Sequence, residues 1–299
     1  MHHLLIEELI LDIPNPGNLE DITAIARKVA WGGADILRAY YRGEAGSEDL
    51  SVQETKKGPV TAADLATNHY IVSELKSALD SSDYGYLTEE THQGTDPIPN
   101  DWVWIIDPLD GTRDFIDKTD EYALHIALAY QGRPVVAAVA VPEADKVYFA
   151  SLGNGTFVET KAGEIYPIKV SERDQIGDLS LVVSRTHRDD RFQQLIDRLP
   201  LKSRNYVGSV GCKISTILEG QSDVYISLSG KSAAKDWDFA APELILTEAG
   251  GQFTHFHGAP LTYNKGDVRQ WGGLLASNGH CHQSLCQEAI AILADIDGE

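Results

Sequence analysis

Apolar residues recur with helical spacing between Leu19 and Tyr41, where Ile22, Ile25, Ala26, Val29, Ala30, Ile36 and Leu37 form one stripe before Gly43 closes the run. Thr61 to Leu79 predicts a second helix, with Thr61 placed as N-cap and Ile71, Leu75 and Leu79 on one face. The period then changes. Glu121 to Ser151 alternates in strand fashion, interrupted by turn signals at Gln131-Gly-Arg-Pro and Pro142-Glu-Ala-Asp, and Gly153-Asn-Gly155 starts a further hairpin reaching about Ile168. Beyond it, strand Leu179–Ser184, helix Asp190–Leu199, strand Ser203–Val207, helix Gly211–Glu219 and strand Asp223–Ser227 alternate as an α/β unit. Trp237 to Glu248 reads as a helix stopped by Gly250-Gly251, followed by a strand at Gly273–Ser277 and a final helix. A boundary near residue 168 follows. Residues 1–168 form an α+β N-terminal domain and residues 169–299 an α/β C-terminal domain.

Composition narrows the function. The chain has 299 residues, 42% of them hydrophobic, enough for one large or two closely packed domains. Its 25 basic and 45 acidic residues leave a formal charge of −20 and no basic run, which argues against nucleic acid as a partner. A small anionic substrate stays open, because a bound cation reverses the local field. The apolar start, Met1 to Leu11, carries Glu7 and Glu8, lacks a basic leader and is too short to span a bilayer, so a soluble cytoplasmic protein with no membrane partner is expected. Cys212, Cys281 and Cys286 make no disulfide framework, and Cys281-His282 with Cys286 lacks a fourth ligand for zinc.

Chemistry concentrates at Trp104-Ile-Ile-Asp107-Pro-Leu-Asp110-Gly-Thr112. An apolar strand delivers two carboxylates, three residues apart, into a Gly-Thr turn. Carboxylates at a strand end can hold a hard divalent cation, and the amides of such a turn can hold a phosphate oxygen. A calcium loop starting at Asp107 is excluded, since it places Lys118 where a bidentate Glu belongs. Asp117-Lys-Thr119 is not a phospho-aspartate turn, since Asp120 replaces the expected Gly. Three other acidic elements, Asp64, Glu89-Glu90 and Asp238, also stand at predicted element ends. Taken singly, Asp64 and Asp238 fit helix capping and Glu89-Glu90 a solvated turn.

Together these segments resemble a known family. Asp107-Pro-Leu-Asp-Gly-Thr112, Val60-Thr-Ala-Ala-Asp64, Glu89-Glu90 and Trp237-Asp-Phe-Ala-Ala241 with Glu248-Ala-Gly-Gly251 resemble, in order, the motifs of the inositol monophosphatase-like, lithium-sensitive, metal-dependent phosphatases. The resemblance implies a layered α/β fold, an αβαβα sandwich of the inositol monophosphatase and fructose-1,6-bisphosphatase type. It implies two or three Mg²⁺ ions, with Glu89, Asp107 and the Leu109 carbonyl on the first, and Asp107, Asp110 and Asp238 on the second. The N-terminal domain would then carry most metal ligands, and the C-terminal domain Asp238 and the substrate contacts. By the same resemblance, Asp64 and Thr112 activate the attacking water, and the Gly111 and Thr112 amides hold the phosphate. Homodimers occur in part of the family.

The substrate side resembles one branch more than another. Ser184-Arg-Thr-His187 and Gly208-Ser209-Val-Gly-Cys-Lys213 are similar to segments of the 3′(2′),5′-bisphosphate nucleotidases, which act on 3′-phosphoadenosine 5′-phosphate. Seven positions before Asp238, where inositol monophosphatases proper carry an acidic residue, this chain has Lys231. A lysine there suits a second anionic group. His187, Ser209, Lys213 and Lys231 are therefore the expected substrate contacts. The expected reaction is removal of the 3′-phosphate from that nucleotide, and from its sulfated precursor, clearing a by-product of sulfate assimilation. The alternatives are an inositol monophosphatase, a broader sugar phosphatase, or a silent metal- or nucleotide-binding relative. One departure is the absence of an Arg two residues after Tyr225, where Ser227 stands. Lys231 or Lys235 is expected to supply the missing charge.

Overall fold

The computed structural model describes residues 18–45, 51–55, 58–79, 82–185 and 189–298. Helix α1 (Leu19–Tyr41) starts where the Asn18 side chain accepts from the Glu20 amide at 3.1 Å, with Glu20 and Asp21 favourably placed in its first turn. A short ribbon, β1 (Gln53–Thr55) and β2 (Gly58–Val60), leads to α2 (Ala62–Leu79). Strands β3 (Tyr84–Thr88), β4 (Trp102–Asp110), β5 (Ala123–Tyr130), β6 (Arg133–Val141), β7 (Lys146–Ser151), β8 (Thr156–Thr160) and β9 (Ile165–Ile168) form a seven-stranded sheet in that order. Within this sheet, among the described residues, only β3 and β4 pair in parallel. The five-residue helix α3 (Thr112–Ile116) joins β4 to β5.

A second sheet has the order β11 (Ser203–Tyr206), β10 (Ser180–Val183), β12 (Val224–Leu228), β14 (Gly273–Ser277), β13 (Gln252–His255). Helices α4 (Asp190–Arg198), α5 (Val210–Leu218), α6 (Asp236–Glu248) and α7 (His282–Gly298) complete the fold. Five layers result. Helices α1 and α2 cover one face of the large sheet through Ala26, Leu37, Ile71 and Leu75 against Trp104, Ile106 and Leu124. Helices α5 and α6 fill the space between the sheets, and α4 and α7 cover the outer face of the small one. The last residue of the large sheet is Ile168, yet one hydrophobic core runs from β4 through α5 and α6 to β13. Among the described residues, no helix is long and apolar enough to cross a membrane.

All nine residues of β4 are buried, as its apolar run predicts, and so are nearly all of β5 and β6, where the alternation read along Glu121–Ser151 gives way because helices cover both faces and alternate residues enter two different cores. The turns follow their residues. Gln131 and Gly132 both take positive φ, at 46° and 79°, as a two-residue hairpin turn requires. At the end of α6, Gly250 and Gly251 donate to the Thr247 and Leu246 carbonyls, each at 3.0 Å, a Schellman stop. His282 is buried between Ser277 Oγ and Thr254 Oγ1, each at 2.8 Å, so a satisfied core histidine stands where zinc was considered.

Candidate active site

The acidic segments meet where element ends converge between the two sheets. Strand β4 is regular up to Asp107, whose Cα partner on β5 is His125, and then shifts register so that Asp110 pairs with Ala123. Such a bulge re-aims the side chains of the strand end. Gly111 takes φ 89° to turn the chain into α3, and a Cβ there would lie 3.1 Å from Ser209 Cβ and 3.2 Å from the Glu121 carbonyl, so only glycine fits comfortably.

Asp64 divides its oxygens between two tasks, and Asp238 uses one of its own to cap a helix. Asp64 Oδ2 accepts from the Thr61 amide at 2.7 Å and the Thr61 hydroxyl at 2.6 Å, while Thr61 Oγ1 accepts from the Ala63 amide at 3.1 Å. This caps α2. Its other oxygen, Oδ1, lies 3.3 Å from Thr112 Oγ1, whose hydroxyl is also 3.2 Å from the Leu109 carbonyl. Asp238 Oδ2 likewise accepts from the Lys235 amide at 2.7 Å, capping α6. Capping and chemistry, set against each other when the sequence is read alone, are compatible because a carboxylate has two oxygens.

Asp110 is held most tightly. Its Oδ2 accepts from Ser209 Oγ at 2.6 Å and from the Gly211 amide at 2.8 Å. His125 Nε2 stands 3.2 Å away, within ion-pairing distance though without the alignment of a full hydrogen bond. Burial pushes the Asp110 carboxyl up, but His125, Lys213 and Ser209 outweigh it and hold it at about 2. Glu89, directly after β3, behaves in the opposite way. Burial and the Asp238 charge push it up to about 8, against the pull of Lys235. Asp107 is raised by burial and by Glu89, Asp110 and Asp238. Burial also raises Asp238, with Lys235 opposing, and raises Asp64.

Carboxylates that raise one another in this way form a donor set short of positive charge. Among the described residues, no three His, Cys, Asp or Glu side chains already close into a ready-made coordination sphere. An open group of carboxylates fits Mg²⁺, which keeps several waters and takes few protein ligands. Glu89, Asp107, Asp110 and Asp238 are the side chains that would hold it. The same repulsion predicts the pH dependence of the metal-free protein. Glu89 titrates near 8 when folded, against 4.5 ordinarily, so the folded state binds more protons and stability falls as pH rises through that window. His282, lowered by burial to about 4, costs stability only below its ordinary 6.5, and Asp110 only as pH falls towards 2. Between about pH 6.5 and 8.5 the slope is therefore negative. Glu89 is half-buried, which damps the effect. We expect Tm in EDTA to drop by a few degrees across this range and millimolar Mg²⁺ to flatten the drop. A Tm that is level or rising in EDTA would contradict the repulsion.

The expected substrate contacts are placed less uniformly. Ser209, at φ 47°, caps α5 by accepting from the Cys212 amide at 3.1 Å and gives its hydrogen to Asp110. Lys213 is 3% exposed and donates to the Ser209 carbonyl at 2.8 Å. Both are turned inward, where sequence similarity places them on a nucleotide. Lys231 is exposed on the loop between β12 and α6, and a Cβ on neighbouring Gly230 would come 3.0 Å from Asp189 Oδ2 at the start of α4. His187 lies outside the described residues. Two groups escaped the sequence reading. Glu121 accepts from Arg185 Nε at 3.0 Å and from the Gly208 amide at 2.6 Å, beside Gly111. His125, fully buried in an apolar strand, could have been found only from its register opposite Asp107.

Comparison with known proteins sets this geometry in a wider context. Residues 18–294 match the model of the inositol monophosphatase family. The chain is 30% identical to the 3′(2′),5′-bisphosphate nucleotidase CysQ of Salmonella typhimurium over 82% of its own length and 93% of that protein's. It is 33% identical to a 3′-phosphoadenosine 5′-phosphate phosphatase of Mycobacterium bovis over 60% of this chain and 64% of that one. Among solved structures, the suhB protein of Bartonella henselae superposes with a TM-score of 0.74 at 22% identity, covering 90% of this chain and 98% of the other. The Thermotoga maritima inositol monophosphatase superposes with a TM-score of 0.73 at 24% identity, covering 93% and 98%.

Proposed function

Since this chain belongs to the inositol monophosphatase family, and so is a divalent-metal-dependent phosphatase of small phosphorylated substrates, we propose that it removes the 3′-phosphate of 3′-phosphoadenosine 5′-phosphate. The observation that carries this choice is the likeness, over most of both chains, to a bisphosphate nucleotidase. Mg²⁺, bound as two or three ions, would supply charge neutralisation at the phosphate and acidify water.

The chain's own residues do the rest. Glu89, Asp107, Asp110 and Asp238, with the Leu109 carbonyl, would hold the cations. The Gly111 and Thr112 amides hold phosphate oxygens at the start of α3. Thr112 donates to Asp64 Oδ1, which leaves its oxygen lone pairs to accept from the attacking water. As the water attacks, its proton passes to Thr112 Oγ1 and that of Thr112 to Asp64. Burial of Asp64 raises its basicity for this role. Displacement is in-line, with no phospho-enzyme.

The second phosphate of the nucleotide requires a cation at the rim. Lys235 is already committed, with Nζ 5.7 Å over the Trp237 ring and its charge felt by Glu89 and Asp238. Lys231 is exposed and free to reach outward. We expect Lys231→Ala to raise KM for the bisphosphate nucleotide roughly tenfold, the worth of one charge-assisted hydrogen bond. The same change should leave KM for inositol 1-phosphate alone. A phosphate-release panel of these two substrates and fructose 1,6-bisphosphate, with EDTA as control, tests the whole reading. A preference for inositol 1-phosphate would replace it, and an unmoved KM in Lys231→Ala would remove that lysine from the site.

A further inference from the structure

His125 is fully buried on β5, and both of its ring nitrogens face oxygen acceptors. Nδ1 lies 3.2 Å from the Trp237 carbonyl, one residue before Asp238, and Nε2 lies 3.2 Å from Asp110 Oδ2. The ring thus links the two acidic segments that come from opposite halves of the chain. A Cβ on Gly211 would sit 2.5 Å from Nε2, so the glycine that donates its amide to Asp110 also leaves room for this ring.

We propose that His125 is a positioning residue: its ring packs against Asp110 Oδ2, which Ser209 and Gly211 hold, and its Nδ1 fixes, through the Trp237 carbonyl, the helix start that carries Asp238, so that Asp110 Oδ1 and Asp238 would meet one cation in a set orientation. This rests on the metal-dependent reading above. The Ser209 hydroxyl and the Gly211 amide fill the two acceptor sites of that oxygen and, with the ring packed 3.2 Å from it, hold the carboxylate plane, which leaves Oδ1 for a cation. Groups that orient a ligating carboxylate in this way are worth roughly 10–100-fold in metal affinity.

The test is Mn²⁺ binding to the full chain, followed by calorimetry and by the electron paramagnetic resonance of the ion. His125→Leu should raise the Mn²⁺ dissociation constant of one site at least about tenfold. His125→Asn, which keeps one N–H donor, should recover part of that loss. Circular dichroism reports whether each variant folds. If His125→Leu does not fold, Gly211→Ala carries the test, because its methyl displaces the ring from Asp110 and should weaken Mn²⁺ by a similar factor. Wild-type affinity in a folded His125→Leu or in Gly211→Ala overturns the proposal. An equal loss in the Asn and Leu variants also overturns it, since the donor would then be irrelevant. Wild-type protein that binds no Mn²⁺ would instead sink the phosphatase reading itself, and this inference with it.

Discussion

Asp110→Asn and Asp238→Asn should each lower Mg²⁺-dependent phosphate release by roughly a thousandfold, and added Mg²⁺ should not restore it. An amide can keep the structural half of each carboxylate. In Asp238→Asn the amide oxygen can accept from the Lys235 amide, as Oδ2 does at 2.7 Å, and the amide nitrogen then takes the place of the outward oxygen. A nitrogen carrying two hydrogens cannot coordinate a hard cation. In Asp110→Asn the amide oxygen can serve Ser209 and Gly211, and the nitrogen again faces the cation site. The two variants should separate in stability. The Asp110 charge is favoured in the fold, at about 2, so losing it lowers the Tm of the metal-free protein. The Asp238 charge is disfavoured by burial and by Asp110, so losing it leaves that Tm unchanged or higher. Phosphate release and thermal unfolding on the same preparations check both halves. Near-full activity in either variant would remove that residue from the metal set.

This contrast between two aspartates marks how far the sequence could be read. Asp107, Asp110, Asp64, Glu89 and Asp238 could be picked out only as a set, through the ordered motifs that resemble one family, because at its own element end Asp64 or Asp238 also fits capping and Glu89 a solvated turn. Helices α1, α2 and α6 were legible from their periodicity and caps. Surroundings were not legible. His125 lies in Ala123-Leu-His-Ile-Ala127, where an isolated histidine in an apolar run gives no functional signal until strand register sets it opposite Asp107. Ser209 and Lys213 look like outward polar residues, and only the packing of α5 between two sheets turns them inward. Strand β13, Gln252-Phe-Thr-His255, lacks a clear two-residue period because it is an edge strand with one apolar residue in the core. Side-chain direction and long-range pairing are tertiary facts, and local patterns do not contain them.

Thr112→Val should reduce kcat by about 10²- to 10⁴-fold, the range for removing a general acid–base group, with KM little changed. The substitution is nearly isosteric, so the Thr112 amide and the start of α3 stay in place and phosphate binding should persist. Asp64 also stays in place, since Thr61 holds its Oδ2 through two hydrogen bonds at 2.6 and 2.7 Å. What disappears is the hydroxyl between Asp64 Oδ1 and the space in front of it. That hydroxyl has one hydrogen and two acceptors in reach, Asp64 Oδ1 at 3.3 Å and the Leu109 carbonyl at 3.2 Å. If the Leu109 oxygen is turned to a cation, the hydrogen goes to Asp64, and the lone pairs of Thr112 are left to accept from water. Thr112→Ser keeps that hydroxyl and should recover most of kcat, whereas Asp64→Asn should match the valine variant. A double variant, Thr112→Val with Asp64→Asn, should be no slower than either single one, because the two residues act in one proton path. Additive losses would mean separate roles, and a rise in KM with kcat unchanged would place Thr112 in ground-state binding instead.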